Sequence, residues 1–363
     1  MKNYRIAVLP GDGVGPEILT EGLKVIRAAL GNRISCCEFV EYEIGAARYK
    51  RTGLACPPET ITGCRSSDAI YFGCVGLPEV RKEDGSEVQA GYTYRIDLDL
   101  YANIRPVKLY AGVESPLKNK RAGEIDYLIL RENTEGLYTW GKGAFRVQDE
   151  VAVNPMIISR TGTERIVRKA FELARKRQGA PGDGKRRVTC VDKANVVEAL
   201  AFFRKVFEQV GREYPDVERE SVYADAMTVY MLRQPEHYDV VVTENMFGDI
   251  LSDLGSGTVG GLGMAPSAEV GGRHGLFQPI HGSAPDIAGK GIANPVAAIL
   301  SAAMMFQWLG EKHEDPGASA VGEKIHRAVE DILAGEKFRT PDLGGKSTTR
   351  EMGDAIAEKA ACN

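Results

Sequence analysis

Residues 246–257 read MFGDILSDLGSG and place Asp249 and Asp253 four positions apart among apolar and small residues. On a helix, positions i and i+4 lie on one face, about a turn apart. Two like charges at that spacing repel by roughly 0.2–0.5 kcal/mol in water, and by more where they are partly buried. A solvated helix face is one interpretation, but Met246 and Phe247 leave little polar surface. The other interpretation is a pair of carboxylates that share a cation.

The composition is typical of a soluble globular protein and excludes some classes of function. With 363 residues the chain is long enough for two domains. A net charge of −4 gives no electrostatic footprint for nucleic acid. Seven cysteines without metal-ligand spacing, and an N-terminus unlike a secretion signal, predict a cytoplasmic protein with reduced thiols. The apolar stretch from Asn294 is too short for a membrane span, so we expect a buried helix with Pro295 at its first position.

Short β-branched runs alternate with longer helical patterns, as in RIAVLP, DYLILRE, RIVRKAFELARKR, RRVTCVD and DVVVTE. This alternation predicts an α/β protein with a largely parallel sheet. The glycine- and proline-rich segment 255–295 predicts irregular backbone, which is typical of a functional site. The motif LPGDGVGPE lacks the third glycine of a dinucleotide fingerprint at its proper spacing, so a simple strand-to-helix turn is equally open.

Three arginines, Arg95, Arg105 and Arg131, stand beside strand-like or turn-like segments. Each alone is more often a surface ion pair, but together they would suit a substrate with several carboxylates, because a guanidinium binds a carboxylate bidentately. Lys193 in VDKANV and Tyr138 in EGLYTW are the plausible proton-transfer groups.

A third acid, Asp225 in VYADAMTVYML, could complete an all-oxygen cation site with Asp249 and Asp253. Hard oxygen ligands favour Mg²⁺ or Mn²⁺ over zinc. The five histidines form no ligand cluster in the sequence. His281 in PIHGSAPD either stacks on a base or ends a strand.

Taken together, these segments resemble the β-decarboxylating dehydrogenases, the family of isocitrate, 3-isopropylmalate, homoisocitrate, tartrate and D-malate dehydrogenases. The resemblance covers nearly the whole chain and is carried by DLYANIRP, RENTEGLY, DAMTVYML, NMFGDILSDLGSG and HGSAPDIAGKGIANP. It implies a two-domain α/β fold of the isocitrate/isopropylmalate dehydrogenase type, not a Rossmann fold, with the active site in the interdomain cleft. Residues 1–100 and 260–363 would form a cofactor-binding domain, and residues 101–259 an inserted substrate and dimerisation domain. The family also implies an obligate homodimer whose active sites are completed by the partner subunit.

The implied reaction is the NAD- and divalent-metal-dependent oxidative decarboxylation of a 3-substituted (2R)-malate, which gives a 2-oxo acid, CO₂ and NADH. By motif, the carboxylate-binding residues would be Arg95, Arg105 and Arg131. The ligands of Mg²⁺ or Mn²⁺ would be Asp249, Asp253 and the partner subunit's Asp225, with K⁺ as a candidate further ion. Lys193, also from the partner subunit, would help to remove the C2 hydroxyl proton, and Tyr138 would protonate the enol after CO₂ leaves.

The resemblance also implies an adenosine-binding loop. Its cofactor-binding residues would be His281, Gly282, Ser283, Ala284, Asp286, Ile287 and Asn294. His281 and Asn294 would contact the adenine. Asp286 would accept hydrogen bonds from both ribose hydroxyls and repel a 2′-phosphate, and NADP-using relatives carry Lys-Tyr in place of Asp286-Ile287. We therefore expect NAD⁺.

The chain departs from the family pattern in two places. Gln278 stands where Glu is usual, which keeps the size of the side chain but removes a charge near the cofactor, so a change in cofactor affinity or in the tuning of the lysine is expected. The segment QAGYTYR before Ile96 lacks both the leucine pair that contacts an isopropyl group and the Ser-x-Asn of isocitrate enzymes. From Gly91, Tyr92 and Tyr94 we expect a small or polar C3 substituent (hydrogen, hydroxyl or an anionic arm), while the particular malate stays open.

Two other classes of function are weighed against this enzyme. A non-catalytic regulatory subunit of a heteromeric dehydrogenase would usually lack part of the tyrosine, lysine and arginine set, and all of it is present here. A metal-dependent phosphoryl-transfer protein is less favoured, because the sequence has no P-loop motif.

Overall fold

The computed structural model describes residues 1–88, 90, 92–138 and 144–362, without the side chains of residues 92 and 93. The chain divides into two compact units. The first unit consists of Met1–Leu98, Tyr110–Glu114 and Gly260–Asn363, and the second of Asp99–Leu109 and Ser115–Val259.

The first unit is built from five strands and seven helices within the described residues. Its strands are β1 Tyr4–Gly11, β2 Cys37–Glu41, β3 Ala69–Cys74, β11 Pro266–Val270 and β12 Gly275–Pro279. Its helices are α1 Gly15–Leu30, α2 Ala46–Thr52, α3 Pro58–Ser66, α4 Tyr92–Asp97, α9 Val296–His313, α10 Pro316–Ala334 and α11 Thr349–Cys362. The strands pair in the order β2-β1-β3-β12-β11, all in parallel except β11, which is antiparallel to β12.

The second unit repeats this plan with different elements. Its strands are β4 Ala102–Lys108, β5 Asp126–Glu132, β6 Phe145–Val147, β7 Val151–Val153, β8 Arg187–Asp192, β9 Glu218–Tyr223 and β10 Val240–Thr243. Its helices are α5 Arg160–Lys176, α6 Glu198–Gly211, α7 Ala224–Arg233 and α8 Asn245–Gly257. The order is β4-β5-β10-β8-β9, in which only β4 runs antiparallel, while β6 and β7 form a separate hairpin.

The predicted α/β class is confirmed, because the parallel strands lie where the β-branched runs stand in the sequence. Strands β8 and β10 are buried at every position, as expected for central parallel strands that lack an exposed face. Short turns link β9 to α7 and β10 to α8, so the side chains at the ends of these two strands are placed by rigid elements. Within the described residues, no helix is long and apolar enough to cross a bilayer.

The structure corrects two details of the sequence analysis. Segment 255–295 is not irregular throughout: β11 and β12 pair within it around a turn in which the Gly271 N–H donates to the His274 carbonyl (2.9 Å). All ten residues of the two strands are buried, and a buried strand of five residues has no alternating pattern to reveal it. The apolar helix α9 begins at Val296, so Pro295 is its N-cap residue and not its first residue.

Candidate active site

Helix α8 carries the acidic pair, and its first turn is fixed by Glu244. The Glu244 carboxylate accepts hydrogen bonds from the backbone N–H groups of Phe247 (2.7 Å) and Met246 (2.9 Å), so it caps two otherwise unpaired donors. Gly248 brings the helix against β5, since a Cβ at this position would lie 2.6 Å from the Cβ of Arg131. One face of α8 is thereby held against the arginine side chains of the neighbouring strands.

Arg131, near the end of β5, is hydrogen-bonded to two residues on this face of α8. Its Nε and Nη2 donate to Asn245 Oδ1 at 2.8 and 2.6 Å, and its Nη1 donates to Asp249 Oδ1. Only 2% of the Arg131 side chain is exposed. Because Asn245 and Asp249 are four residues apart, one turn of helix presents both acceptors to a single guanidinium.

Arg105 on β4 lies further along the same face. Its Nη1 donates to Ser252 Oγ (2.5 Å) and to Asp249 Oδ1 (3.1 Å), and lies 3.9 Å from Asp253 Oδ1. The two aspartates therefore have guanidinium groups beside them in the protein itself. Burial and the neighbouring Asp249 raise the pKa of Asp253, and Arg105 opposes that rise.

Tyr138 belongs to the same cluster, because the guanidinium carbon of Arg131 lies 5.5 Å from the centre of its ring. This cation–π contact places a phenol next to the arginines and the acids. The structure thus brings together five of the predicted site residues in the second unit: Arg105, Arg131, Tyr138, Asp249 and Asp253.

The donor set of this cluster fits a hard divalent cation. Both arginines donate to Oδ1 of Asp249, which leaves its Oδ2 for a further ligand, and the Asp253 side chain is 56% exposed. Within the described residues, no group of three or more His, Cys, Asp or Glu side chains is arranged to hold a metal. A complete all-oxygen site therefore needs at least one ligand besides these two carboxylates.

Lys193 and Asp225 form a second, separate pair in the same unit. Lys193 Nζ donates to Asp225 Oδ1 (2.6 Å) and lies 5.9 Å from the centre of the Tyr223 ring. This hydrogen bond lowers the pKa of Asp225. Within one chain these two residues contact each other, and in the part of the chain that the structure describes no hydrogen bond or ion pair joins either of them to Asp249 or Asp253.

Arg95, on α4, belongs to the first unit. Its Nε and Nη2 donate to the two carboxylate oxygens of Glu269 at 2.9 and 2.6 Å. The Glu269 side chain is completely buried and also accepts a hydrogen bond from Gln278 Nε2 (2.8 Å). The second unit therefore brings together only Arg105 and Arg131 of the three predicted arginines.

The loop at residues 281–294 is held against the turn that follows β1. The Val14 N–H donates to the Ser283 carbonyl (2.8 Å), and a Cβ at Gly13, whose φ is +59°, would lie 1.9 Å from that oxygen. The glycines of LPGDGVGPE thus serve close backbone packing. Asp286 on this loop is exposed, and a Cβ at Gly289 or at Gly291 would meet nothing within 4 Å. An exposed carboxylate on a fixed loop with open space beside it fits an adenosine ribose.

His281 and Asn294 stand at the two ends of this loop. Burial lowers the pKa of His281, so its ring is neutral at pH 7 and suits stacking on a base. Asn294 is nearly buried, and its amide is engaged within the protein: Nδ2 donates to Asp342 Oδ2 (3.0 Å) and Oδ1 accepts from the Val296 N–H (3.0 Å). The side chain of Asn294 therefore anchors the start of α9.

Comparison with known proteins identifies the family. Residues 5–356 match the family model described as isocitrate/isopropylmalate dehydrogenase. The chain belongs to this family.

Relatives and a solved structure match nearly the full chain. The 3-isopropylmalate/3-methylmalate dehydrogenase of Methanocaldococcus jannaschii is 46% identical over 358 residues, which cover 98% of both chains. The 3-isopropylmalate dehydrogenase of Aquifex aeolicus is 42% identical over 377 aligned positions, covering 99% of this chain and 97% of that protein. The crystal structure of isocitrate dehydrogenase from Methylococcus capsulatus superposes with a TM-score of 0.85 at 35% identity and 99% coverage of each chain.

Membership of the isocitrate/isopropylmalate dehydrogenase family confirms the resemblance inferred from the motifs and the fold class. The chain is therefore an enzyme, a decarboxylating dehydrogenase that acts on the CH–OH group of its donor.

Sequence analysis missed three residues that organise the site. Asn245 and Ser252 lie four residues before and three residues after Asp249, so the helical spacing could have identified them. Glu269 reaches Arg95 from β11, and no local pattern predicts that contact.

Of the three residues from which the C3 substituent was predicted, only the Tyr94 side chain is described. Tyr94 is buried, and its ring packs 5.6 Å from the ring of Phe72, so it belongs to the core of the first unit. Gln89, Gly91 and the side chain of Tyr92 lie outside the described residues.

Proposed function

We propose that the chain oxidises a (2R)-malate with an alkyl group at C3, using NAD⁺ and a divalent cation, and releases CO₂ and a 2-oxo acid. The cluster on α8 carries this proposal, because it combines two buried guanidinium groups with two partly exposed carboxylates. The names of the relatives, which include 3-isopropylmalate and 3-methylmalate dehydrogenases, support this alkyl substituent in place of the small or polar group expected from Gly91, Tyr92 and Tyr94.

The first role of the cluster is to hold the substrate's carboxylates. Arg105 and Arg131 are nearly buried and are held by fixed acceptors, so their orientation is set before substrate binds. We assign a third carboxylate contact to Arg95. Preoriented arginines of this kind distinguish a dicarboxylate from a monocarboxylate.

Mg²⁺ or Mn²⁺ on Asp249 and Asp253 would polarise the C2 oxygen, and NAD⁺ held by the loop 281–294 would accept the C2 hydride. In this assignment the first unit binds the cofactor and supplies Arg95, and the second unit supplies the other two arginines and the metal ligands Asp249 and Asp253. Lys193 would take the C2 hydroxyl proton, and Tyr138 would donate a proton to the carbon that loses CO₂.

A second copy of the chain would supply Lys193 and Asp225 to this site. Within one chain, the Lys193–Asp225 pair is not hydrogen-bonded to the α8 cluster. The elements around this pair and around the α8 cluster also carry exposed apolar side chains, as expected for a surface that becomes buried in an interface. These side chains include Val196, Val229, Leu232 and Ile250.

Mixing two inactive variants tests the shared site. A mixed dimer has one Asp249→Asn chain and one Lys193→Ala chain. One of its two sites would combine the intact Asp249 of the Lys193→Ala chain with the intact Lys193 of the Asp249→Asn chain. Refolded mixtures should therefore regain up to about a quarter of wild-type activity, because half of the random dimers are mixed and each holds one intact site. No regained activity in mixtures shown to contain mixed dimers would contradict a shared site.

NADH formation with a panel of hydroxy acids tests the reaction itself. The panel comprises 3-isopropylmalate, 3-methylmalate, D-malate, tartrate, isocitrate and homoisocitrate, each with Mn²⁺ and K⁺ and with either ion omitted. We expect the highest kcat/KM with an alkylmalate and no turnover without the divalent cation. Turnover of isocitrate or homoisocitrate in preference to the alkylmalates would overturn the substrate class, and no turnover of any acid would favour the regulatory-subunit alternative.

A further inference from the structure

Glu269 is a completely buried carboxylate, and two side chains of the described residues, Arg95 and Gln278, donate hydrogen bonds to it. Arg95 donates from Nε to Oε2 (2.9 Å) and from Nη2 to Oε1 (2.6 Å), and Gln278 donates from Nε2 to Oε1 (2.8 Å). The Arg95 side chain is 14% exposed and Gln278 is 9% exposed. The three side chains form one buried polar cluster in the first unit.

The strand register explains why Glu269 and Gln278 meet. In the antiparallel pair of β11 and β12, Ser267 lies opposite Gln278 and Glu269 lies opposite Leu276. Glu269 and Gln278 are therefore diagonal neighbours on one face of the pair, within reach of long side chains. Arg95 approaches this face from α4 and closes the cluster.

The positive and negative charges of this cluster balance because the side chain at position 278 is a neutral amide. The guanidinium and the carboxylate balance each other, and a buried charge is tolerated when it is paired and hydrogen-bonded. A carboxylate at position 278 would place an oxygen close to the position of the amide nitrogen, 2.8 Å from Glu269 Oε1. Two buried carboxylates would then face one guanidinium, and the like charges would compete for Arg95.

We propose that Glu269 is a positioning residue for the substrate-binding guanidinium of Arg95, and that Gln278 is the neutral hydrogen-bond donor which this carboxylate requires. The proposal rests on the proposed function, in which Arg95 contacts a carboxylate of the malate. It assigns Gln278 to the substrate side of the reaction, whereas the sequence alone connected that position with the cofactor or the lysine.

Two single substitutions test the positioning role. Glu269→Gln replaces the carboxylate that accepts two hydrogen bonds from Arg95 with a neutral amide, and Gln278→Glu places a second carboxylate beside that carboxylate. Each should raise the KM for the alkylmalate at least about tenfold while kcat falls less than about threefold, as expected when binding common to ground and transition states is lost. The Kd for NADH, measured by fluorescence, should stay within about twofold of the wild-type value, a difference of only a few tenths of a kcal/mol.

The exchange of the two residues is the sharper test. The double variant Glu269→Gln/Gln278→Glu again has one carboxylate and one amide beside Arg95. Its KM should be at least about fivefold lower than that of Gln278→Glu, so the two substitutions should be strongly non-additive. If Glu269→Gln does not fold, Gln278→Glu and the exchange variant still test the proposal.

Asp239→Asn is a matched control, because it removes the buried carboxylate that pairs with Arg177 (2.7 Å) in the second unit. It should lower the thermal midpoint and leave the KM for the alkylmalate unchanged.

Three outcomes would overturn the positioning role in an active enzyme: an unchanged KM in both single variants, a loss of NADH affinity in place of the KM effect, or an exchange variant no better than the poorer single variant. If the wild type turns over no member of the panel, the proposed function itself fails, and the substrate role of Arg95 fails with it.

Discussion

Helix α8 in the second unit and the loop 281–294 in the first unit both present carboxylates, but they hold them in opposite ways. On α8, Asp249 accepts hydrogen bonds from two nearly buried arginines. On the loop, Asp286 is exposed, and the backbone beside it is fixed by the hydrogen bond between Val14 N–H and the Ser283 carbonyl. Substitution of Asp249 should therefore alter stability and turnover together, whereas a substitution at Asp286 should alter cofactor choice alone.

The largest loss of activity is expected for Asp249→Asn. It removes a carboxylate ligand of the proposed cation site, so kcat/KM should fall by of the order of a thousandfold or more. It also removes the carboxylate that accepts a hydrogen bond from Arg131 Nη1, and because Asp249 is 37% exposed we expect a loss of only about 1–3 kcal/mol in the free energy of unfolding. Steady-state kinetics with the alkylmalate and denaturant unfolding measure the two effects.

Asp253→Asn separates catalysis from stability on the same helix. The Asp253 carboxylate is more than half exposed and lies 3.9 Å from Arg105, so its loss should abolish turnover while the thermal midpoint stays unchanged or rises slightly. Asp331→Asn, at an exposed position on α10, is the matched control and should change neither quantity. Normal Mn²⁺-dependent activity in either α8 variant would exclude the cation site.

Asn245→Ala should have the next largest effect. The amide oxygen of Asn245 accepts two hydrogen bonds from Arg131, so its removal should let the guanidinium move and lower kcat/KM about 10–100-fold. Asn245→Asp keeps the acceptor and should retain more activity than Asn245→Ala. Equal activity in the two variants would show that Asn245 does not orient Arg131.

The sequence pattern predicted the arrangement of residues on α8 better than that of the loop 281–294. The helical spacing of Asp249 and Asp253 predicted one shared face, and the structure places both beside Arg105. The loop was recognised only by its motif, since the packing of Gly13 on the Ser283 carbonyl joins segments that are about 270 positions apart in the chain.

Sequence reasoning could not predict contacts that depend on sheet register. Glu269 and Gln278 meet because β11 and β12 pair antiparallel within a segment that looked irregular. The pairing of Lys193 with Asp225 likewise needs the ends of β8 and β9 to be adjacent in the sheet. These contacts follow from tertiary pairing, which local propensity does not encode.

The next largest effect is expected on cofactor choice, through the exposed Asp286. Wild type should prefer NAD⁺ to NADP⁺ by at least about tenfold in kcat/KM, which requires only about 1.4 kcal/mol. Asp286→Lys combined with Ile287→Tyr should reverse this preference, because it replaces a repelling carboxylate with a cation beside the 2′-phosphate. The KM for the alkylmalate is the internal control and should stay unchanged. Equal rates of the wild type with both cofactors at sub-saturating concentration would contradict the assignment of Asp286.

The smallest effect on activity is expected at Glu132, a buried carboxylate that follows Arg131 and contrasts with the exposed Asp286. Burial raises the pKa of Glu132 to about 7, although hydrogen bonds from Thr134 and from the Glu135 N–H oppose the rise. Between its ordinary value of 4.5 and pH 7, the native state therefore holds a proton that the unfolded state has released. The free energy of unfolding must fall as pH rises through this window, by at most about 3 kcal/mol, and the loss is complete above pH 7.

Glu132→Gln tests this sign, because an amide stays neutral at every pH and has no such slope. The stability of the variant relative to the wild type should increase between about pH 5 and pH 8, as thermal unfolding across that range would measure. Subtracting the two curves cancels the contributions of other titrating groups. Glu323→Gln, at an exposed position on α10, should give a flat difference. A flat difference for Glu132→Gln as well would mean that Glu132 is ionised in the native state throughout, held so by the N–H groups of the turn that leads from β5 toward Tyr138.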